Sequence, residues 1–302
     1  MNNLSNRGRF RRVLSTYAER VKAFQPNARY YLLSAILTGA SLGVFRLLFN
    51  FYVLSQGYDE ALLGTLITTN SLTALLAALP MGYLVDIIGR KIALILGGLA
   101  ITAAIFGMVL LPSTAMFVAM SVLIGLGNAL TGVTMGPFLM ENSSEKERTY
   151  LFSFAAGLQM AAGSVGNWVG GYLPTWMAAL NGTTPTSPQS YAWSLGVIAA
   201  AGAAGVLPLL LMRMPKLERG ERSLFAPLSY FKDHSALLGR LILPMWIIPG
   251  GAGLVMPFMK VFFRQGHGQP HQDIATMFAW GSLPTRARAS SRPRTSFPTW
   301  ES

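Results

Sequence analysis

Gly82-Tyr83-Leu84-Val85-Asp86-Ile87-Ile88-Gly89-Arg90-Lys91 is the stretch on which the fold turns. Glycine permits close helix approach, Asp86 and Arg90 stand four residues apart and can pair, and Gly89 allows a tight reversal. Read alone, the stretch is a short charged turn between two helices. Outward from it on both sides the chain runs without charge for about 20 residues, the length that crosses a hydrocarbon core of about 30 Å. Such windows recur at 30–54, 61–85, 92–111, 116–140, 151–179 and 191–212, and a seventh covers 236–259. Within the first six, Arg46 is the one charged residue. Apolar character on every helical face means lipid or neighbouring helices all round.

Composition agrees. Of 302 residues, 52% are hydrophobic and only 12% charged, about half the charge a water-facing surface carries. These numbers exclude a soluble globular protein and equally a disordered one. There is no cysteine, which removes disulfides, thiol catalysis and thiolate metal sites, and three scattered histidines offer no metal-ligand cluster. No cofactor, no metal and no catalytic residue is expected, since Ser, Asp and His nowhere stand in catalytic spacing.

The net charge of +12 would suggest nucleic acid in a soluble chain. Here it is topological. Lys and Arg cluster before the first window, at Arg90 and Lys91, at Lys146 and Arg148, and from Arg213 to Arg240. The alternate loops, 55–60, 112–115 and 180–190, contain none. Translocated loops are depleted in basic residues, so the N-terminus is expected in the cytoplasm, in a multi-pass protein of the plasma or inner membrane. Nucleic acid is not needed as a partner.

Residues 1–29 are too basic for a signal peptide. Phe10, Val13, Leu14, Tyr17, Val21 and Phe24 recur at helical spacing with Arg11, Arg12, Arg20 and Lys22 on other faces. That pattern predicts an interfacial helix on an anionic inner leaflet; a basic disordered leader is the alternative. Residues 30–212 form the first bundle, 213–235 a charged cytoplasmic linker, and 236–282 the start of a second bundle. The seventh window contains Pro244, Pro249 and Pro257 with Gly250, Gly251 and Gly253, so its helix is expected to be interrupted where other helices or a cavity satisfy the freed backbone.

The 82–91 stretch resembles the signature loop of the major facilitator superfamily: Gly, three residues, Asp, two residues, Gly, Arg, then Lys or Arg. Its place between the second and third windows, on the expected cytoplasmic side, matches the family plan. The resemblance implies an all-α, polytopic membrane helical bundle, with a six-helix N-terminal bundle, a seventh helix and a partial eighth. It also implies transmembrane transport of a small solute by alternating access, two bundles rocking about a site near the midplane. Gly82, Asp86, Gly89, Arg90 and Lys91 would then be conformational residues that never touch substrate, with Asp86 serving as a charge-relay or helix-capping contact to the other half. The chain departs from antiporter members, which carry proline where Gly166-Asn167-Trp168-Val169-Gly170-Gly171 has Asn167. Proton-coupled members often have an arginine where Ser121 stands. The 141–154 stretch loosely resembles a loop of bacterial members.

Arg46 is the first substrate-binding candidate. A guanidinium in the hydrocarbon costs at least a few kcal/mol and so faces a cavity or a partner. It is read as binding an anionic solute group or a buried carboxylate, or as snorkelling to the outer interface. Asn50 lies one turn away. Asn70, Asn128 and Gln159, with Asn167, are further polar groups within apolar windows, each either a solute contact or interhelical glue. No carboxylate lies deep in the first six windows, so no proton relay is visible there.

The family plan needs about twelve helices. From 273 to 281 an eighth helix begins, and then 284–302 turns abruptly to Pro, Arg, Ser and Thr. The expectation is a truncated transporter whose reading frame breaks near Ser282, leaving residues 283–302 as a basic tail of unrelated composition; a genuine basic C-terminus is the alternative. Arg286, Arg288, Arg292 and Arg294 would sit outside after seven helices, against the charge rule. The rival to a transporter is a transport-inactive membrane fragment, or a partner protein that binds a second half-transporter.

Overall fold

The computed structural model describes residues 24–213, 258–259, 261–264, 266 and 270–281. The expected basic leader, apart from its last residues, the linker after Arg213, nearly all of the seventh window and the 283–302 tail lie outside the described residues. Helices α1 to α6 are Pro26–Ser55, Glu60–Ile88, Arg90–Leu110, Thr114–Glu141, Glu145–Asn181 and Pro188–Leu210, and α7 is His271–Gly281. The all-helical, membrane-spanning fold read from the sequence is the one observed. Five of these helices, α1 to α4 and α6, are long and apolar enough to cross a membrane. The fifth, 37 residues long, is more polar and begins with Glu145 and Glu147.

Local chemistry sets the helix ends. Pro26 and Pro188 occupy first-turn positions, where a missing N–H costs nothing. Asp59 caps α2 by accepting from the Leu62 N–H at 2.9 Å, and Ser113 caps α4 by accepting from Met116 at 3.3 Å. The acidic first turn of α5 faces the positive end of its own dipole. For this reason α5 starts six residues before its apolar window, and most of 141–154, read as a loop, is helix; the connection is only Asn142 to Ser144. Proline interrupts the ladders of α2, α4, α5 and α6 at Pro80, Pro137, Pro174 and Pro208, and the helices continue through them.

The chain alternates direction through short connections, so the turns after α2, α4 and α6 share one end, and the basic residues stand beside them: Arg90 and Lys91 at the start of α3, Lys146 and Arg148 at the start of α5, and Arg213 after α6. We call this the basic end. Helix α1 packs most extensively on α5 and then on α6; α4 packs on α2 and α3; α3 joins the two groups through α6. The α1–α5 contact depends on missing side chains. A Cβ on Gly43 would run into the carbonyl of Gly163, and one on Gly166 into the carbonyl of Ala40. Gly39 and Gly43, like Gly166 and Gly170, are four apart, so each helix offers a smooth strip along which backbones meet.

One core cluster, around Leu47, Leu48, Tyr52, Leu63, Met108 and Phe117, fills the end away from the basic loops. A second, around Leu32, Leu94, Phe138, Leu139, Leu151 and Leu209, fills the basic end. Leu72, Leu75, Leu76 and Leu79 leave α2 with a broad exposed apolar face, which lipid or further helices suit and water does not. Beyond the bundle, α7 lies where the eighth helix was expected to begin and packs on α5.

Candidate functional site

Helices α1 and α4 scarcely touch, and a cavity of about 300 Å³ fills the gap, walled by α1, α3, α4 and α6 with Gln159 of α5. Along α1 it reaches from Tyr31 to Leu42, that is, from the basic end to the middle of the helix. Two contacts close its basic end. The Tyr31 and Phe138 rings meet with centroids 5.1 Å apart, and the Asn27 amide donates to Asn142 Oδ1 at 3.0 Å. Asn27 also donates to the Arg213 carbonyl and accepts from the Arg213 N–H, each at 3.0 Å, so the starts and ends of α1, α4 and α6 are tied together.

Of the polar residues singled out in the sequence, Asn128 and Gln159 line this cavity. Asn128 donates to Asn70 Oδ1 at 3.3 Å, which makes Asn70 a neighbour of the wall and couples α2 to α4. Gln159 and Gly132 are exposed and mark the open edge. Arg46 and Asn50 do not line it: Arg46 is exposed on α1, whereas Asn50 is buried at 6% exposure. The side-chain oxygen of Asn167 is buried and accepts no hydrogen bond from the described residues.

Sequence reasoning missed the hydroxyls of the wall. Thr38 donates to the Ser34 carbonyl at 2.8 Å, Ser41 to Leu37 at 2.9 Å and Thr131 to Gly127 at 2.9 Å. Each proton is therefore committed to its own helix, and each oxygen keeps lone pairs. The spacing of Ser and Thr carries no mark of this, because such back-bonding is common in helices. Tyr31 and Asn27 were likewise unread, being ordinary residues near a helix start.

At the basic end the 82–91 stretch is a hub. Gly89 has φ +89° and is at once the last cap of α2 and the first of α3, a conformation that only glycine adopts without strain. The reversal expected there is present. Arg90 Nη1 lies 2.7 Å from Asp86 Oδ1, and Arg90 Nε lies 3.3 Å from Glu141 Oε1 on α4. Lys91 donates to the carbonyls of Leu210 and Met212, both at 2.7 Å, and so caps the end of α6. Gly82 does not make the close approach expected of it within this bundle: a Cβ there would meet nothing within 4 Å among the described residues.

A cavity framed by antiparallel apolar helices, beside a charged turn that fastens helix ends, defines a multi-pass membrane protein of transporter type. The sequence profile of the Major Facilitator Superfamily matches residues 31–287, and the chain belongs to that family. No curated protein matches the sequence. Among solved structures, the chain is similar to a bacterial homolog of the human lysosomal transporter Spinster, determined in an inward-facing, unoccupied conformation. That match has a TM-score of 0.65 at 17% identity and covers 85% of this chain and 60% of the other, so the chain spans about three fifths of that transporter's length. A variant of the peptide transporter POT, solved with sulfate, matches at a TM-score of 0.45 and 15% identity, over 74% of this chain and 46% of that one.

Proposed function

We propose that this chain forms the first bundle of a secondary transporter that moves a small solute by alternating access, with its N-terminus and basic end in the cytoplasm. Family membership supports transport in general. The observation that carries the finer reading is the cavity between α1 and α4, edged by Asn128 and Gln159. A solute held there would be gripped by groups on α1, α3, α4 and α6 and would meet whatever second bundle closes over the exposed edge. The apolar face of α2 and the docking of α7 on α5 support a second bundle on that side.

Standing outside the cavity lining, Arg46 is better placed to pair with a buried carboxylate or to snorkel to the outer interface than to hold solute. The signature residues Asp86, Arg90 and Lys91 are conformational, with Gly82 reserved for approach by the second bundle.

Solute flux in reconstituted vesicles tests the proposal. Uptake or efflux that Arg46→Ala abolishes supports it. No flux for any solute sinks it and favours the membrane-embedded partner or inactive fragment.

A further inference from the structure

Away from the basic end, a second pocket of about 220 Å³ opens where the last turn of α1, the turn before α6 and the segment 261–264 meet. Phe51 and Val261, both buried, give it an apolar floor, and the Phe51 ring stacks on that of Tyr191 with centroids 6.4 Å apart. Against this floor stands one charge, the half-buried guanidinium of Arg264, and none of the described lining residues is acidic. Asp59 and Glu60, in the turn beyond α1, do not line the pocket, and the Asp59 carboxylate is engaged in capping α2. A cation set among apolar groups keeps more of its field than one in open water, and the planar fork of a guanidinium matches a tetrahedral oxyanion with two parallel hydrogen bonds.

The helix ends add to the same sign. Thr186 directly precedes Ser187, the cap residue of α6, so the pocket lies beside the positive pole of that helix. The negative pole of α1 is blunted, because the carbonyls of Tyr52, Val53 and Leu54 accept from the N–H groups of Gln56 and Gly57. Ser55 gives its own proton to the Tyr52 carbonyl at 2.7 Å, whereas the Thr186 hydroxyl makes no hydrogen bond with a described residue.

We infer that this pocket binds an oxyanion of the sulfate or phosphate kind, free or on a lipid headgroup, through the guanidinium of Arg264 with the Thr186 hydroxyl and the start of α6 beside it. The site lies apart from the cavity between α1 and α4 and does not depend on reading that cavity as a solute site.

The chain has no cysteine, so one introduced thiol reports on the pocket. Ser55→Cys places it in the wall, and Thr184→Cys places it in the loop of Thr186 but outside the described lining. Each variant, in phosphatidylcholine nanodiscs, is labelled with N-ethylmaleimide in sulfate, in sulfamide, which is a neutral isostere, and in chloride of matched ionic strength. Sulfate should slow labelling of Ser55→Cys and leave Thr184→Cys at its chloride rate, and sulfamide should slow neither. Adding Arg264→Gln should weaken the apparent sulfate affinity by about tenfold, the scale of one charge-assisted contact. Arg264→Lys keeps the charge and should lose less, which separates a lost site from a lost fold. Nanodiscs containing phosphatidylglycerol distinguish the two sources. Slowing without sulfate that Arg264→Gln reverses assigns the site to a headgroup, and slowing by sulfate alone assigns it to a free anion. No slowing by sulfate or by phosphatidylglycerol, equal slowing by sulfamide, slowing at both cysteines alike, or protection that survives Arg264→Gln would each overturn the inference.

Discussion

The ammonium of Lys91 lies 2.7 Å from the carbonyl oxygen of Leu210, across 119 residues of sequence, and the same distance from that of Met212. One side chain at the start of α3 thus satisfies carbonyls that α6 leaves open at its end and places a cation at the negative pole of that helix. Lys91→Met keeps the aliphatic stem and removes the donor. It should destabilise the bundle by about 1 kcal/mol, the scale of a charge-assisted bond that is partly exposed. The check is thermal unfolding in detergent together with hydrogen exchange. Faster exchange confined to the last turn of α6 is expected, and unchanged exchange there would show that the bond contributes nothing.

Arg90 is almost wholly buried as a side chain, at 8% exposure, while its partners Asp86 and Glu141 are 34% and 44% exposed. The two pairs should differ in strength. Asp86 is closer and better shielded, so its double-mutant coupling to Arg90 should be about 1 kcal/mol, at the upper end for partly exposed pairs. Glu141, at 3.3 Å and more exposed, should give about 0.3 kcal/mol or less. Arg90→Ala should cost more than either acid-to-amide change, because it removes both pairs at once. Equal couplings measured from denaturation of Asp86→Asn, Glu141→Gln and the combined variants would refute this ranking.

Two glycines that look alike in the sequence should behave oppositely. At Gly43 even a methyl group meets the backbone of Gly163, so Gly43→Ala should force α1 from α5 and destabilise by about 1–3 kcal/mol, the usual cost of overpacking. At Gly82 the space is open, and Gly82→Ala should be neutral or stabilise by up to about 1 kcal/mol through helix propensity. If Gly82 is reserved for a second bundle, the same alanine should depress solute flux with no loss in melting temperature. A neutral Gly43→Ala would show that the α1–α5 seam is not set by backbone contact.

The helices were legible because about 20 uncharged apolar residues have few other uses, and the polar turn at 82–91 was legible because the acid, the glycine and the base each have a local job. The interior was less so. Asn70 and Asn128 were both visible as polar groups in apolar windows, but their pairing depends on α2 lying against α4, which no local spacing encodes. Lys91 read as a charge that holds orientation, and only the adjacency of α3 and α6 turns it into a cap. The early start of α5 was hidden because Glu145 and Glu147 end an apolar window while favouring a helix. Gly39 and Gly43 went unnoticed because glycine is frequent in membrane helices, and what distinguishes this pair is Gln159, Ala162 and Gly163 on the facing helix.

Orientation can be tested with unusual directness, because the chain has no cysteine to remove. The basic residues gather at one end and the loops after α1, α3 and α5 hold no Lys or Arg, so the charge rule puts those three loops outside. Thr184, between α5 and α6, and Ser144, between α4 and α5, stand in loops at opposite ends and at exposed positions. A single Thr184→Cys should react with a membrane-impermeant maleimide on intact cells. Ser144→Cys should react only after the membrane is opened. Neither change touches the cavity, and Ser144 makes no side-chain capping bond to α5, so both variants should fold. The reverse pattern would invert the topology and place Arg90 and Lys91 outside. Labelling of both sites on intact cells would mean two populations of opposite orientation, and the distribution of basic residues would then have failed to fix the direction of insertion.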